Sequence, residues 1–224
     1  MEGKTNTSSF KIYLFPTIMM IVMGLILFLP AGTLRYWQAW IYWVMFSAVT
    51  FFITAYFAKR SPELLARRWQ HKDQETVRKI PGLLNLFPLF YFVAGFDFRF
   101  HWSTVPVWIV IAANLIAFLG YVFIVIVFRE NSYASGNIKV EDEQQVVATG
   151  PYAIIRHPMY TGMLIMVLFA PLALGSYWAL IPSLLIIPWT VIRIKNEEEL
   201  LLQELPGYKD YCNKTPYRLV PAIW

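Results

Sequence analysis

The sequence predicts an all-α membrane protein of about five to six transmembrane helices, closing with a C-terminal helical hairpin and a cytoplasmic tail. Three observations predict it. Hydrophobic residues make up 58% of the chain and charged residues only 15%, whereas soluble domains average about 45–50% and about 25%. Aromatics reach 17%, with 9 Trp and 13 Tyr, which suits belts at a membrane–water interface. Apolar runs close to the roughly 20 residues needed to cross a bilayer recur along the chain.

The elements follow in order. Ile12–Pro30 is the first expected span. It exceeds the ~7–15 residues of a signal-peptide core, so it reads as retained. Tyr36–Ala58 is the second, with Trp37, Trp40 and Trp43 as interfacial anchors. Pro81–Phe96 is a shorter third, and Val105–Phe128 a fourth. Met159–Leu174 and Tyr177–Ile192, broken at Gly175-Ser176, read as a hairpin that crosses and returns, or as a kinked re-entrant pair. Asn114 is the main polar side chain in mid-span, expected to bond between helices.

Charge orients these spans. Residues 59–79 carry Lys59, Arg60, Arg67, Arg68, Lys72, Arg78 and Lys79, while the loops near 31–35 and 97–104 hold only Arg35 and Arg99. The positive-inside rule makes 59–79 cytoplasmic. The N-terminus, residues 129–157 and the tail 193–224 then share that side. Pro62–Trp69 reads as a short interfacial amphipathic helix. The net charge of +5 is modest, and no nucleic-acid fold fits. The single Cys212 excludes an internal disulfide, and His71, His101 and His157 are too scattered for a metal site. Residues 1–128 are expected to hold the N-terminal spans and 129–224 the chemistry, as one structural unit in a prokaryotic inner membrane.

Two clusters carry that chemistry. In the first, "ATGPYAIIRHPMYTG", Thr149-Gly150-Pro151 is a turn signal. Pro158 suits the first turn of a helix, because its missing N–H would lack an intrahelical partner anyway. That helix would turn its positive end toward the polar mouth, where an anion can dock. Gly162 allows a close approach. In the second, "VIRIKNEEELLLQELPGYKDY", Arg193 and Glu197 lie four apart on one helix face. Glu198 and Glu199 follow, and adjacent carboxylates need cations or donors nearby. The hairpin brings this cluster back beside Arg156 and His157. Ionisable groups gathered at a membrane lip mark a functional site. Gly207, Tyr208, Tyr211, Tyr217, Arg218 and Pro221 can lie across it as a lid.

Jointly, Gly150-Pro151-Tyr152, Arg156-His157-Pro158-x-Tyr160-x-Gly162, Arg193, Glu197-Glu198, Tyr208, Tyr211, Arg218 and Pro221 resemble the integral membrane methyltransferases. These include the isoprenylcysteine carboxyl methyltransferases and the phospholipid methyltransferases. The resemblance covers residues 145–221. It implies a multi-span helical fold that binds S-adenosylmethionine from the cytoplasmic side and takes a lipophilic acceptor from the bilayer. It implies that Gln145, Thr149, Gly150, Pro151, Tyr152, His157, Tyr160, Glu197 and Glu198 hold the cofactor. Arg193 and Glu197 are the implied catalytic residues, with Arg193 facing the acceptor. Gly120 is matched to a small residue of the phospholipid enzymes. The expected arrangement has His157 and the Pro158 helix end holding the methionyl carboxylate, and Glu197 accepting from the amine or ribose. The acceptor stays open between a prenylcysteine-like carboxylate, a phospholipid amine, and a small lipophilic thiol or acid. A sterol-type reductase using NADPH shares the arginine–histidine–proline pattern, but the Glu-Glu after the hairpin favours methyl transfer. A non-catalytic carrier or scaffold is the remaining alternative. It is disfavoured because the charges sit at one mouth and not in mid-span.

Overall fold

The computed structural model describes residues 6–61, 87–131, 133 and 144–224. Every regular element among them is helical: α1 (Asn6–Ala31), α2 (Trp37–Arg60), α3 (Phe87–Phe100), α4 (Val107–Glu130), α5 (Pro158–Ala173), α6 (Leu180–Leu184), α7 (Ile186–Glu204) and α8 (Tyr208–Lys214). A short 3₁₀ turn spans Gly150–Ala153. The expected amphipathic helix Pro62–Trp69, most of the basic loop and His71 lie outside the described residues.

Among the described residues, three helices are long and apolar enough to cross a membrane: Tyr13–Ala31 within α1, Trp37–Arg60 and Val107–Glu130. The chain is an all-α membrane protein, and the apolar helix Pro158–Ala173 adds to these three. The C-terminal pair is shorter than the long spans. α5 has 16 residues, about 24 Å at 1.5 Å per residue, against a hydrocarbon core of about 30 Å. The expected return run is split into α6 and α7, with Leu185 between them. Pro182 and Pro188 each fall in the first turn of one of these helices, where a missing N–H is harmless.

Lipid-facing surfaces are apolar, with Phe15, Leu25, Phe52, Ile111 and Leu115 exposed. Tyr36, Tyr42, Phe90, Leu27 and Leu174 are buried where α1, α2 and α3 meet the α5–α6 turn. The hairpin breaks at Gly175, whose φ of +74° ends the helix. That turn is pinned from α3. Buried Asp97 accepts from the Ser176 hydroxyl and from the Ser103 hydroxyl and N–H, and Tyr36 Oη donates to Leu174 O at 2.6 Å. Asn114 makes the expected interhelical bond, donating to Ala173 O at 3.2 Å.

α4 and α5 form the most extensively packed helix pair. They touch through Gly120 and Gly162. A Cβ at Gly162 would lie 2.6 Å from Ile124 Cγ1, and one at Gly120 would lie 3.2 Å from Gly162 O. Close approach is therefore the role of both glycines, Gly120 included. Gly162→Ala is expected to cost about 1–3 kcal/mol through forced repacking. The thermal unfolding midpoint in detergent measures this, and an unchanged midpoint would contradict it.

Candidate active site

The chain enters the site through a turn that only glycine fits. Gly150 has φ +55°, and a Cβ there would lie 2.9 Å from the Glu130 carboxyl carbon. The Thr149 hydroxyl donates to that same Glu130. The 3₁₀ turn then buries Tyr152, whose carbonyl accepts from Tyr211 Oη at 2.7 Å. Burial pushes the Tyr152 phenol up to about 12. The N–H groups of Arg156 and His157 donate to Tyr217 O and Arg218 O, both at 2.9 Å. α5 starts at Pro158, as its sequence predicts.

A buried carboxylate anchors this entry. Glu198, 5% exposed, accepts from Arg156 Nε at 2.7 Å, Arg218 Nε at 2.7 Å and His157 Nε2 at 3.3 Å. Arg156 spends a further nitrogen on Thr215 O and Pro216 O, at 2.7 and 2.9 Å. Arg218 also lies over the Trp224 ring, 5.1 Å from its centre. Burial alone would raise the Glu198 carboxyl, but the donors from His157, Arg156 and Arg218 outweigh it and hold it at about 2. A folded value below the ordinary one stabilises the native state at higher pH. That contribution is complete above about pH 4.5 and is lost as pH falls through about 2. Acid titration followed by intrinsic fluorescence should show destabilisation in that window, and Glu198→Gln should flatten it.

The neighbouring carboxylate does something different. Consecutive residues on a helix point about 100° apart, so Glu197 faces a cavity that Glu198 does not line. Tyr160 Oη donates to Glu197 Oε2 at 2.6 Å and accepts from Arg193 Nε at 2.7 Å. The Arg193 guanidinium lies 5.3 Å from the Trp189 ring centre. His157 Nδ1 is 4.0 Å from Glu197 Oε1. The cavity encloses about 790 Å³, open mouth included, and His157, Tyr160, Glu197, Tyr152, Gln145 and Tyr208 are among its walls. Burial raises the Tyr208 phenol well above its usual range, and among the described residues its hydroxyl has Cys212 as a neighbour.

Of the residues expected to hold a cofactor, Gln145, Tyr152, His157, Tyr160 and Glu197 line the cavity. Thr149, Gly150 and Pro151 do not; they form the turn that sets Tyr152 in place. Glu198 does not line the cavity; it accepts from Arg156, Arg218 and His157 behind the wall. Arg193 reaches the site through the Tyr160 hydroxyl. At the α5 end, where an anion dock is expected, most of the N–H groups already have backbone partners. The Arg156 and His157 N–H groups are taken by the tail, Tyr160 N–H goes to His157 O, and Pro158 has none. Sequence reasoning missed Asn131 and Gln144 as wall residues. It also missed Glu130, although an acid in the last turn of an apolar helix opposes the helix dipole and asks for a partner.

Part of the chain is similar to the mouse (Mus musculus) Delta(14)-sterol reductase TM7SF2, at 28% identity over 85 residues. That match covers 36% of this chain and 20% of the reductase, so the chain spans about a fifth of that relative's length. Residues 108–208, from the start of α4 through α7 to Tyr208, match the phospholipid methyltransferase family. The matched segment contains the hairpin and both carboxylates, Glu197 and Glu198.

Proposed function

We propose that the protein is an S-adenosylmethionine-dependent methyltransferase acting on a lipophilic acceptor that enters from the bilayer. The observation that carries this is the Glu197 carboxylate, set in the cavity wall between Tyr160 and His157 in a segment matching a methyltransferase family. The wall chemistry fits such a donor. Glu197 accepts from an amine or from ribose hydroxyls, the amides of Asn131, Gln144 and Gln145 suit a nucleoside, and Tyr208 in the wall offers another polar contact. S-adenosylmethionine supplies a methyl group already activated on a sulfonium. The protein's task is then to align reactants and exclude water, and alignment alone supplies up to about 7–11 kcal/mol. The rings of Tyr152 and Tyr160 favour a nearby cation by about 0.5–2 kcal/mol. Arg193, held at Tyr160 beside Trp189, orients the acceptor's anionic group. A carboxylate acceptor, as of a prenylcysteine, needs no base. A phospholipid amine must give up a proton, which Glu197 can take.

The similarity to a sterol reductase favours a second reading, NADPH-dependent reduction. The cavity's charges speak against it. Its arginine, Arg156, is committed to Glu198 and two carbonyls, and a dinucleotide's phosphates would face Glu197. Calorimetry on detergent-purified protein tests both. Binding of S-adenosylmethionine is expected, and binding of NADPH in its place would overturn the proposal. Incubation with methyl-labelled cofactor and mass spectrometry of lipids and small acids then identifies the acceptor.

A further inference from the structure

His157 touches a carboxylate at one nitrogen and faces another across a gap at the other. Nε2 lies 3.3 Å from Glu198 Oε1, and Nδ1 lies 4.0 Å from Glu197 Oε1. An ionised carboxylate has no hydrogen to donate. Arg156 and Arg218, both donors to Glu198, keep it ionised at all but strongly acid pH. The Nε2 contact therefore forms only when Nε2 carries the proton. We propose that Glu198 is a positioning residue that fixes the His157 ring as its Nε2–H tautomer, leaving the Nδ1 lone pair turned toward Glu197 and the cavity.

The surroundings support this assignment. The ring is buried, with its side chain 4% exposed. Its charged neighbours are Glu197 and Glu198 from α7, Arg156 beside it in sequence, and Arg218 from the tail. Tyr160 packs at 5.9 Å between ring centres. From α8, Tyr208 and Cys212 lie near Glu198. A histidine nitrogen is set by the hydrogen bond its other nitrogen makes. Two acceptors, Nδ1 and Glu197 Oε1, then share one edge of the cavity. The catalytic meaning of that edge rests on the proposed function; the tautomer itself does not.

Nitrogen NMR of ¹⁵N-histidine-labelled, full-length protein tests the proposal without any ligand. The chain has 3 histidines, so His157 is assigned by substituting the other two. The pH is raised until the ring holds a single proton. The expected result is a protonated-type signal at Nε2 and an unprotonated-type signal at Nδ1. A ring protonated at Nδ1, or a mixture of tautomers, would overturn it. Glu198→Gln should lose the single-tautomer signal, and Arg218→Gln should keep it; the reverse pattern would reassign the control away from Glu198. If Glu198→Gln does not fold, the wild-type and Arg218→Gln spectra still decide. Failure to bind S-adenosylmethionine would sink the methyltransferase reading and leave this result intact.

Discussion

Glu198→Ala is expected to lower stability by about 3–5 kcal/mol, the cost of stranding a buried charge. The stranded group is Arg156, whose side chain is 6% exposed, together with His157 at 4%. Arg218→Ala should cost much less, because the Arg218 side chain is 33% exposed and Glu198 keeps two other donors. Thermal denaturation in detergent, with limited proteolysis of the tail, measures both. Similar losses for the two variants would mean that the anchor is solvated, contrary to its burial.

Glu197→Gln is expected to leave the fold in place and weaken binding of the methyl donor by about 10–100-fold. The amide oxygen still accepts from Tyr160, so the hairpin keeps that tie. What is lost is a charge-assisted hydrogen bond to the ligand, worth about 1.5–3 kcal/mol, and each 1.4 kcal/mol is tenfold in affinity. Calorimetry gives the affinity and circular dichroism the helicity. Unchanged affinity in a folded variant would remove Glu197 from the site.

The contrast between these two carboxylates shows what the sequence could and could not convey. The start of α5 was legible, since the residue before a proline leaves the helical region and the proline itself favours the first turn. The break at Gly175 was legible from the glycine. The pairing of Arg156-His157 with Glu197-Glu198 followed from the hairpin. Which acid faces the cavity did not, because adjacent acids read alike until the helix phase is set by distant partners. Arg218, 20 residues along the chain, and Arg156, 42 residues back, set that phase. Glu130 under Gly150 and Asp97 under Ser176 were invisible for the same reason. The division of the last apolar run into α6 and α7 was not legible, since an apolar run gives hydrophobicity but not where prolines divide it.

The tail has a mechanical consequence. Residues 215–219 are fastened to the start of α5 and to α7 by Tyr217 O and Arg218 O, by Thr215 O and Pro216 O, by the Arg218–Glu198 pair, and by Leu219 O accepting from the Thr161 hydroxyl. These fastenings act in parallel. A load pulling on residues 220–224 would be shared among them before any membrane helix felt it. They are the fuse of the structure: under force the cavity wall would come apart first, while the bilayer still held α1 to α4 in place.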